Sequence, residues 1–366
     1  MKLCKFCNLS KNNYFEEGSP CFICNDALLS LDNIAKKIAE QLPASASSFS
    51  LSTTIPNEWL VREETLWDRS MERTICIKTA INIYLNNEIR KLSGKKSKYD
   101  ADVLVYLTLP AGDLRFQWND LFVFGRYKKL VSGLSQTRWV CSFCQGKGCE
   151  KCNSTGKFYH SVEEEIGEVL KEVAKAKEYT MHASGREDID VKNEAGRPFV
   201  IQLKEAEIRE PNLELAARKI NEKKNVSVSD FKLTKRSVVE LISASHFDKT
   251  YMAEVEFERE IDDNEIKKLL GLSGVLIKQK TPERVEHRRA FLERQRKILE
   301  VKLVSKNKKR AVFLITAEAG TYIKELIHGD NGRTKPSFSS LLGIKAQCID
   351  LKVISIKDDF LNNVLL

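Results

Sequence analysis

The sequence predicts an α+β protein built as two units, on three observations. Runs of strand length rich in β-branched and aromatic residues, such as Val103-Leu-Val-Tyr-Leu-Thr-Leu109, are mixed with apolar stripes at helical spacing. At 366 residues the chain is long enough for two or three domains, each with its own core. Eight of the ten cysteines fall in Cys-x-x-Cys pairs, and the second set of four marks a boundary. The expected units are residues 1–154 and 155–366.

Cys4-Lys-Phe-Cys7 and Cys21-Phe-Ile-Cys24 are separated by thirteen residues, which lets two thiolate knuckles fold onto one tetrahedral zinc. Redox dithiols come singly and beside a βαβ pattern, so structural metal in a reducing compartment explains four thiols better. Pro20-Cys21-x-x-Cys24 also matches half of a zinc deaminase signature, but no His-x-Glu or Cys-x-Glu precedes it. The deaminase reading fails there.

A core-facing helical stripe follows, carrying Leu28, Leu31, Ile34, Ala35, Ile38 and Leu42. A strand is expected over 49–54, helices over 58–67 and 79–92, and buried strands over 103–109 and 121–124. The second of these strands runs into Gly125-Arg126-Tyr-Lys128-Lys-Leu130, read as an exposed turn whose cations suit phosphates and whose tyrosine suits a stacked base. Cys141, Cys144, Cys149 and Cys152 form the second metal constellation, with Gly146 and Gly148 allowing tight turns between the pairs. Two separate sites and an exchange of pairs between the halves are both open. Cys76 and Cys348 are left over as expected buried thiols.

Ser161 and Glu164 form a capping box for a helix whose stripe of Ile166, Val169, Leu170, Val173 and Ala174 ends near Thr180. That helix delivers the chain to Ser184-Gly-Arg-Glu-Asp-Ile-Asp190. Three carboxylates, Glu187, Asp188 and Asp190, and two arginines, Arg186 and Arg197, crowd between two glycine-containing turns ahead of the strand-like 199–203. A carboxylate beside an arginine can act as nucleophile or base while its charge stays partly compensated. A solvated loop is the plain alternative.

Helices over 213–221 and 236–241 and strands over 226–231 and 246–256, the last bearing Tyr251, continue the unit. The segment 278–289, with Arg284 and Arg288, reads either as a helix with a solvated charged face or as a nucleic-acid track. Strands over 299–304 and 311–315, a turn carrying Tyr322 and Lys324, a short helix over 337–343 and a strand over 348–356 complete it. Tyr322 and Lys324 would share a side on a strand and diverge on a helix.

A formal charge of +9 and a pI near 8.9 favour a polyanionic partner. The amino terminus lacks the apolar run of a signal peptide, and no stretch of eighteen apolar residues suggests a membrane span, so a cytoplasmic protein is expected.

SGREDID together with AGTYIKELIHGDNGRTKP, Lys249-Thr-Tyr251 and QKTPERVEHRR resembles the pseudouridine synthases, most closely the archaeal and eukaryotic family numbered ten. FGRYKKLVSGLSQT and CSFCQGKGCEKC resemble its archaeal members. The resemblance implies a catalytic domain with a mixed or antiparallel sheet and a central cleft, preceded by a zinc-containing, THUMP-like RNA-binding domain. It implies pseudouridine at positions fifty-four and fifty-five of tRNA, in the TΨC loop. It maps the single catalytic aspartate onto Asp188, with Asp190 as the nearest competitor. The base-stacking tyrosine that helps remove the C5 proton falls on Tyr251, and the basic partner of the aspartate on Lys324. Arg186 would hold the flipped nucleotide's phosphate or fill its place in the stack, and Tyr322, Arg126, Lys128, Arg284 and Arg288 complete the expected RNA contacts.

Isomerising uridine breaks the C1′–N1 bond, turns the uracil and makes a C1′–C5 bond, which calls for no catalytic metal or redox cofactor. One carboxylate can start this by attacking C1′ or by taking the 2′ proton, and both routes are open. Flipping the target costs a few kcal/mol. An aromatic platform returns about 1–3 kcal/mol per base. The rivals are a non-catalytic zinc-dependent RNA-binding protein on the same fold, and a methyltransferase or thiouridine synthetase. The latter need a glycine-rich cofactor loop after a strand, and the sequence offers none.

Overall fold

The computed structural model describes residues 1–67, 75–288, 290–359 and 361, with the backbone alone at 287 and 288. The side chain of Arg288 therefore lies outside the described part. The α+β class holds in two compact units. One comprises Met1–Leu121 with Ala174–Glu178 and Leu203–Pro211, the other Phe122–Val173, Tyr179–Gln202 and Asn212–Leu366.

The boundary expected at 154/155 thus falls at 121/122 instead. The reason is strand pairing: Leu121–Lys129 is hydrogen-bonded antiparallel to Val226–Thr234 and belongs to the large sheet of the second unit. The second cysteine set goes with it. The stretch read as an exposed turn after residue 124 is the second half of that same strand, continuous to Lys129.

In the first unit, helix Leu31–Gln41 buries Leu31, Ile34, Ala35 and Ile38, the face foreseen from the stripe. It stops at Leu42, whose ψ of 126° is extended. Pro43 follows, and a proline disfavours the helical region for the residue before it. Helix Ile77–Ser93 buries Ile77, Ile81, Leu85 and Ile89 at four-residue intervals, and Gly94 closes it with a left-handed φ of 70°. Both helices contribute to one core with the strands Ser48–Thr54 and Val103–Thr108. Each fully buried Leu or Ile contributes about 1.5–3 kcal/mol. The four-stranded sheet includes Asp113–Trp118, a strand the sequence reading missed, paired antiparallel to Val103–Thr108.

The second unit is organised on a ten-stranded mixed sheet. Its order runs Val226–Thr234, Leu121–Lys129, Lys192–Lys204, Ala346–Ile356, Lys249–Phe257, Arg310–Ala317, Glu293–Asn307, Leu276–Lys280, Thr334–Lys335, with Glu178–Ala183 beside Lys192–Lys204. The pair Lys192–Lys204 and Ala346–Ile356 is parallel, while Lys249–Phe257 is antiparallel to both its neighbours. Along Lys249–Phe257 the residues Ala253, Val255 and Phe257 alternate into the core, the period of two that a half-buried strand requires.

Helix Val162–Ala174 ends earlier than expected, and Thr180 lies in the strand Glu178–Ala183. Lys175, at a left-handed φ of 47°, breaks it. Cys76 and Cys348 are half-buried rather than buried: the first precedes a helix and the second sits on a strand at a partly covered position.

Candidate active site

The loop between Glu178–Ala183 and Lys192–Lys204 is held from beneath at four of its carbonyls. Arg197 Nη1 donates to Ser184 O at 2.7 Å, and Gln136 Nε2 to Gly185 O at 2.9 Å. Lys129 Nζ donates at 2.9 Å to Asp188 O, to Ile189 O and to Leu134 O. Gly185 has a φ of 73°, and a Cβ there would come 3.2 Å from Arg197 Nη1, so both the turn and the close approach require glycine. Beneath the loop, Glu187 pairs with Arg197 at 2.8 Å and accepts from Tyr127 Oη at 2.7 Å, all three side chains being buried. Burial pushes the Tyr127 hydroxyl well up, and it works against the charge of Arg197, which Glu187 nevertheless holds above its ordinary value.

These anchors come from a strand whose period explains them. In Arg126-Tyr-Lys-Lys129, Tyr127 and Lys129 are buried on one face, while Lys128 is exposed. Lys129 therefore braces the loop instead of meeting solvent. Arg126 is committed too: it pairs with Asp358, lies 3.6 Å from Asp230, and donates to Gly196 O at 3.3 Å. Only Lys128 of the expected cations in this stretch is left pointing outward.

Asp188 itself is 37% exposed at the side chain. Two cations face it. Arg284 Nη1 lies 2.9 Å from Oδ1, and Lys324 Nζ lies 3.7 Å from Oδ2. Lys324 makes its short contacts with Asp190 instead, at 2.7 and 2.6 Å to the two carboxylate oxygens. Burial opposes the charge of Asp190, and the Lys324 ammonium overrides it, holding that carboxyl below the usual range. The nearest ion partner of Asp188 is thus Arg284, which the sequence reading had placed on a phosphate track.

Arg284 sits on a short turn of helix, Glu283–Arg288, and its Nε and Nη2 meet Glu325 at 2.7 and 3.5 Å. Glu325 and Lys324 are neighbours on the helix Ile323–His328, one buried and the other partly exposed. Tyr322 is the residue before that helix, and its backbone exchanges 2.9 Å hydrogen bonds with the Gln279 side chain, so Tyr322 and Lys324 do not share a strand face.

Tyr251 lies half-buried in the strand Lys249–Phe257, packed against the main core. Burial pushes its hydroxyl up to about 12. Arg186 is exposed and makes no hydrogen bond or ion pair among the described residues. Sequence reasoning missed Lys129, Gln136, Lys249 and Glu325. For Lys129 the signal was present, since extending the strand past residue 124 puts it on the inner face by parity. Glu325 carried none, because nothing local says that its carboxylate turns inward.

The eight paired cysteines gather as two separate groups, Cys4, Cys7, Cys21, Cys24 and Cys141, Cys144, Cys149, Cys152. Within each, the sulfurs lie within 4.8 Å of one another, with Sγ–Sγ separations such as 3.6 Å for Cys4 and Cys24 and 3.7 Å for Cys144 and Cys152. Zn–S bonds of about 2.3 Å at tetrahedral angles need edges of roughly 3.8 Å, so each set fits a metal ion.

The model of the family "Pus10, C-terminal" matches residues 122–357, beginning where the second unit begins. This chain belongs to the Pus10 family. It is 38% identical over 348 residues to a tRNA pseudouridine synthase Pus10 of Methanothermobacter marburgensis, covering 92% of this chain and 86% of that one. It is 35% identical over 363 residues to a tRNA pseudouridine synthase Pus10 of Archaeoglobus fulgidus, covering 97% and 100%. The solved structure of a Cbf5-Nop10-Gar1 complex overlaps 52% of this chain and 45% of its own at 18% identity and a TM-score of 0.33. Membership in Pus10 makes the chain a pseudouridine synthase, an isomerase. Among the described residues no helix is long and apolar enough to cross a membrane.

Proposed function

We propose that this chain isomerises uridine to pseudouridine in the TΨC loop of tRNA, at position fifty-five and also at fifty-four, with Asp188 as the essential carboxylate. The observation that carries the reading is the setting of Asp188. Its backbone is held by a buried ammonium, while its side chain reaches solvent facing two cations. A carboxylate so placed is oriented, with its charge compensated, without being sealed from a substrate.

Asp188 attacks C1′ or takes the 2′ proton. On either route the C1′–N1 pair leaves with the uracil, the ring turns, C5 bonds to C1′, and the C5 proton is lost while N1 gains one; on the first route the ester between Asp188 and C1′ breaks as C5 takes its place, and on the second Asp188 returns the proton to C2′. Tyr251 stacks on the flipped base, and, with its hydroxyl pushed up to about 12 and therefore neutral, it moves the C5 proton as a relay, its oxygen accepting that proton as it passes its own to water. Lys324 orients the acidic pair Asp188 and Asp190, and the exposed Arg186 meets the nucleotide's phosphate or its vacated place in the stack. Tyr322 and Lys128 extend the RNA contact, Arg126 being held within the fold. The two Cys4 groups hold structural zinc, whose role is to close each knuckle. The first unit is the THUMP-like module that grips RNA, and the protein works in the cytoplasm.

The test is tritium release from tRNA labelled at uridine C5, wild type beside Asp188→Ala, followed by mapping of the product. Release that needs Asp188 and maps to the TΨC loop supports the reading. Binding of tRNA with no release from several tRNAs at low salt would leave an RNA-binding protein on a synthase fold.

A further inference from the structure

We propose that Glu325 is a positioning residue for the reaction, acting through Arg284 on Asp188; this rests on the reading of Asp188 as the essential carboxylate. Glu325 is 1% exposed, on the helix that also presents Lys324. Burying a carboxylate costs several kcal/mol unless a well-placed cation offsets it. Its partner is Arg284, met at 2.7 Å on Nε and 3.5 Å on Nη2.

The geometry of the guanidinium turns that pairing into an instruction. The group is planar and rigid, so fixing Nε and Nη2 also fixes where Nη1 points. It points at Asp188 Oδ1, 2.9 Å away. With one oxygen tied, the carboxylate is confined to one rotamer and presents the other oxygen in one direction. A lysine at 284 would satisfy one carboxylate and not align a second. The turn bearing Arg284 is itself secured, because Glu283 N donates to Asp330 Oδ2 at 3.2 Å and Arg333 pairs with Glu286. Although burial opposes its charge, Arg284 is held above its ordinary value by Glu325 and then by Asp188, so the clamp stays cationic throughout the working pH range. Asp188 therefore has its nearest cation in place before any RNA arrives, and Lys324 is free to serve Asp190.

The experiment is single-turnover tritium release from an unmodified tRNA transcript, with tRNA affinity measured in parallel, for Glu325→Gln, Arg284→Met, Arg284→Lys, the double variant Glu325→Gln/Arg284→Met and the control Asp188→Asn. Misorienting a reacting group by about 1 Å costs on the order of 100-fold, so each single variant should slow turnover about 10- to 100-fold with affinity within about 2-fold. The double variant should be no slower than Arg284→Met, because one residue acts through the other. Arg284→Lys should not restore the rate. Multiplying losses in the double variant, a Glu325→Gln rate within about 2-fold of wild type, or an Arg284→Met variant that loses affinity but keeps its rate would each overturn the proposal. If Glu325→Gln fails to fold, the two Arg284 variants, changed at a partly exposed position, read the same link. An active Asp188→Asn would instead remove the assignment of Asp188, whereas an inactive one beside a normal Glu325→Gln removes this inference alone.

Discussion

Lys129 Nζ, on a residue with no exposed surface, donates to the backbone carbonyl of Asp188 at 2.9 Å. A buried ammonium with three carbonyl acceptors and, among the described residues, no carboxylate contact is an expensive device, since burial lowers its pKa against the pull of Glu187, Asp190 and Asp188. It fixes the backbone of the loop while leaving the Asp188 side chain to the two cations above.

Lys129→Met should cost on the order of 3 kcal/mol in urea unfolding, because the Asp188, Ile189 and Leu134 carbonyls lose a charged donor. Turnover should fall by about 10-fold or more while tRNA affinity changes little. An active, equally stable variant would mean that water replaces the ammonium.

Lys249 gives a pH prediction. Burial, and then repulsion by Arg197, bring its ammonium down to about 8 from an ordinary 10.5. Its folded-state pKa is depressed, so from pH 8 to 10.5 the unfolded chain binds more protons and stability rises with pH. The stability of wild type relative to Lys249→Met should therefore increase by about 3 kcal/mol across that window, at about 1.4 kcal/mol per pH unit. Chemical unfolding at stepped pH measures it; a flat difference would show that the ammonium is solvated.

Tyr251→Phe should bind tRNA within about 2-fold of wild type, because the stacking face is kept. Tritium release should fall at least about 100-fold if the hydroxyl moves the C5 proton. Since that hydroxyl keeps its proton up to about 12, the wild-type rate should show no tyrosine ionisation below pH 10.

Arg126→Ala and Lys128→Ala should separate structure from binding. Lys128 is exposed, and its removal should lower the salt slope of tRNA affinity by about 1. Arg126 is spent on Asp358 and Asp230, so its removal should lower the melting temperature with little change in that slope.

Purified protein should carry two equivalents of zinc, one per cysteine group. Cys7→Ser and Cys144→Ser should each lose one equivalent and lower the melting temperature, since metal binding is coupled to folding. Metal-free protein with an unchanged melt would reduce the pairs to coincidence.

Much of this was readable along the chain because it depends on local chemistry. The Cys-x-x-Cys spacing, the stripe from Leu31 to Ile38, the strand at 103–108 and the clustering of Asp188 with Asp190 are each set by residues close in sequence. What the tertiary structure decided was pairing over distance. Leu121–Lys129 joins a strand about a hundred residues later, which moves the boundary and turns Lys129 inward. Lys324 chooses Asp190, and Arg284, held by Glu325, takes Asp188. The reason is physical: an ion pair of this kind is governed by side-chain positions to within an ångström or so, and those positions exist only after the sheet has registered and the helix Ile323–His328 has been laid beside it. Sequence alone brought Asp188 and Asp190 together; the fold chose the cation that faces each.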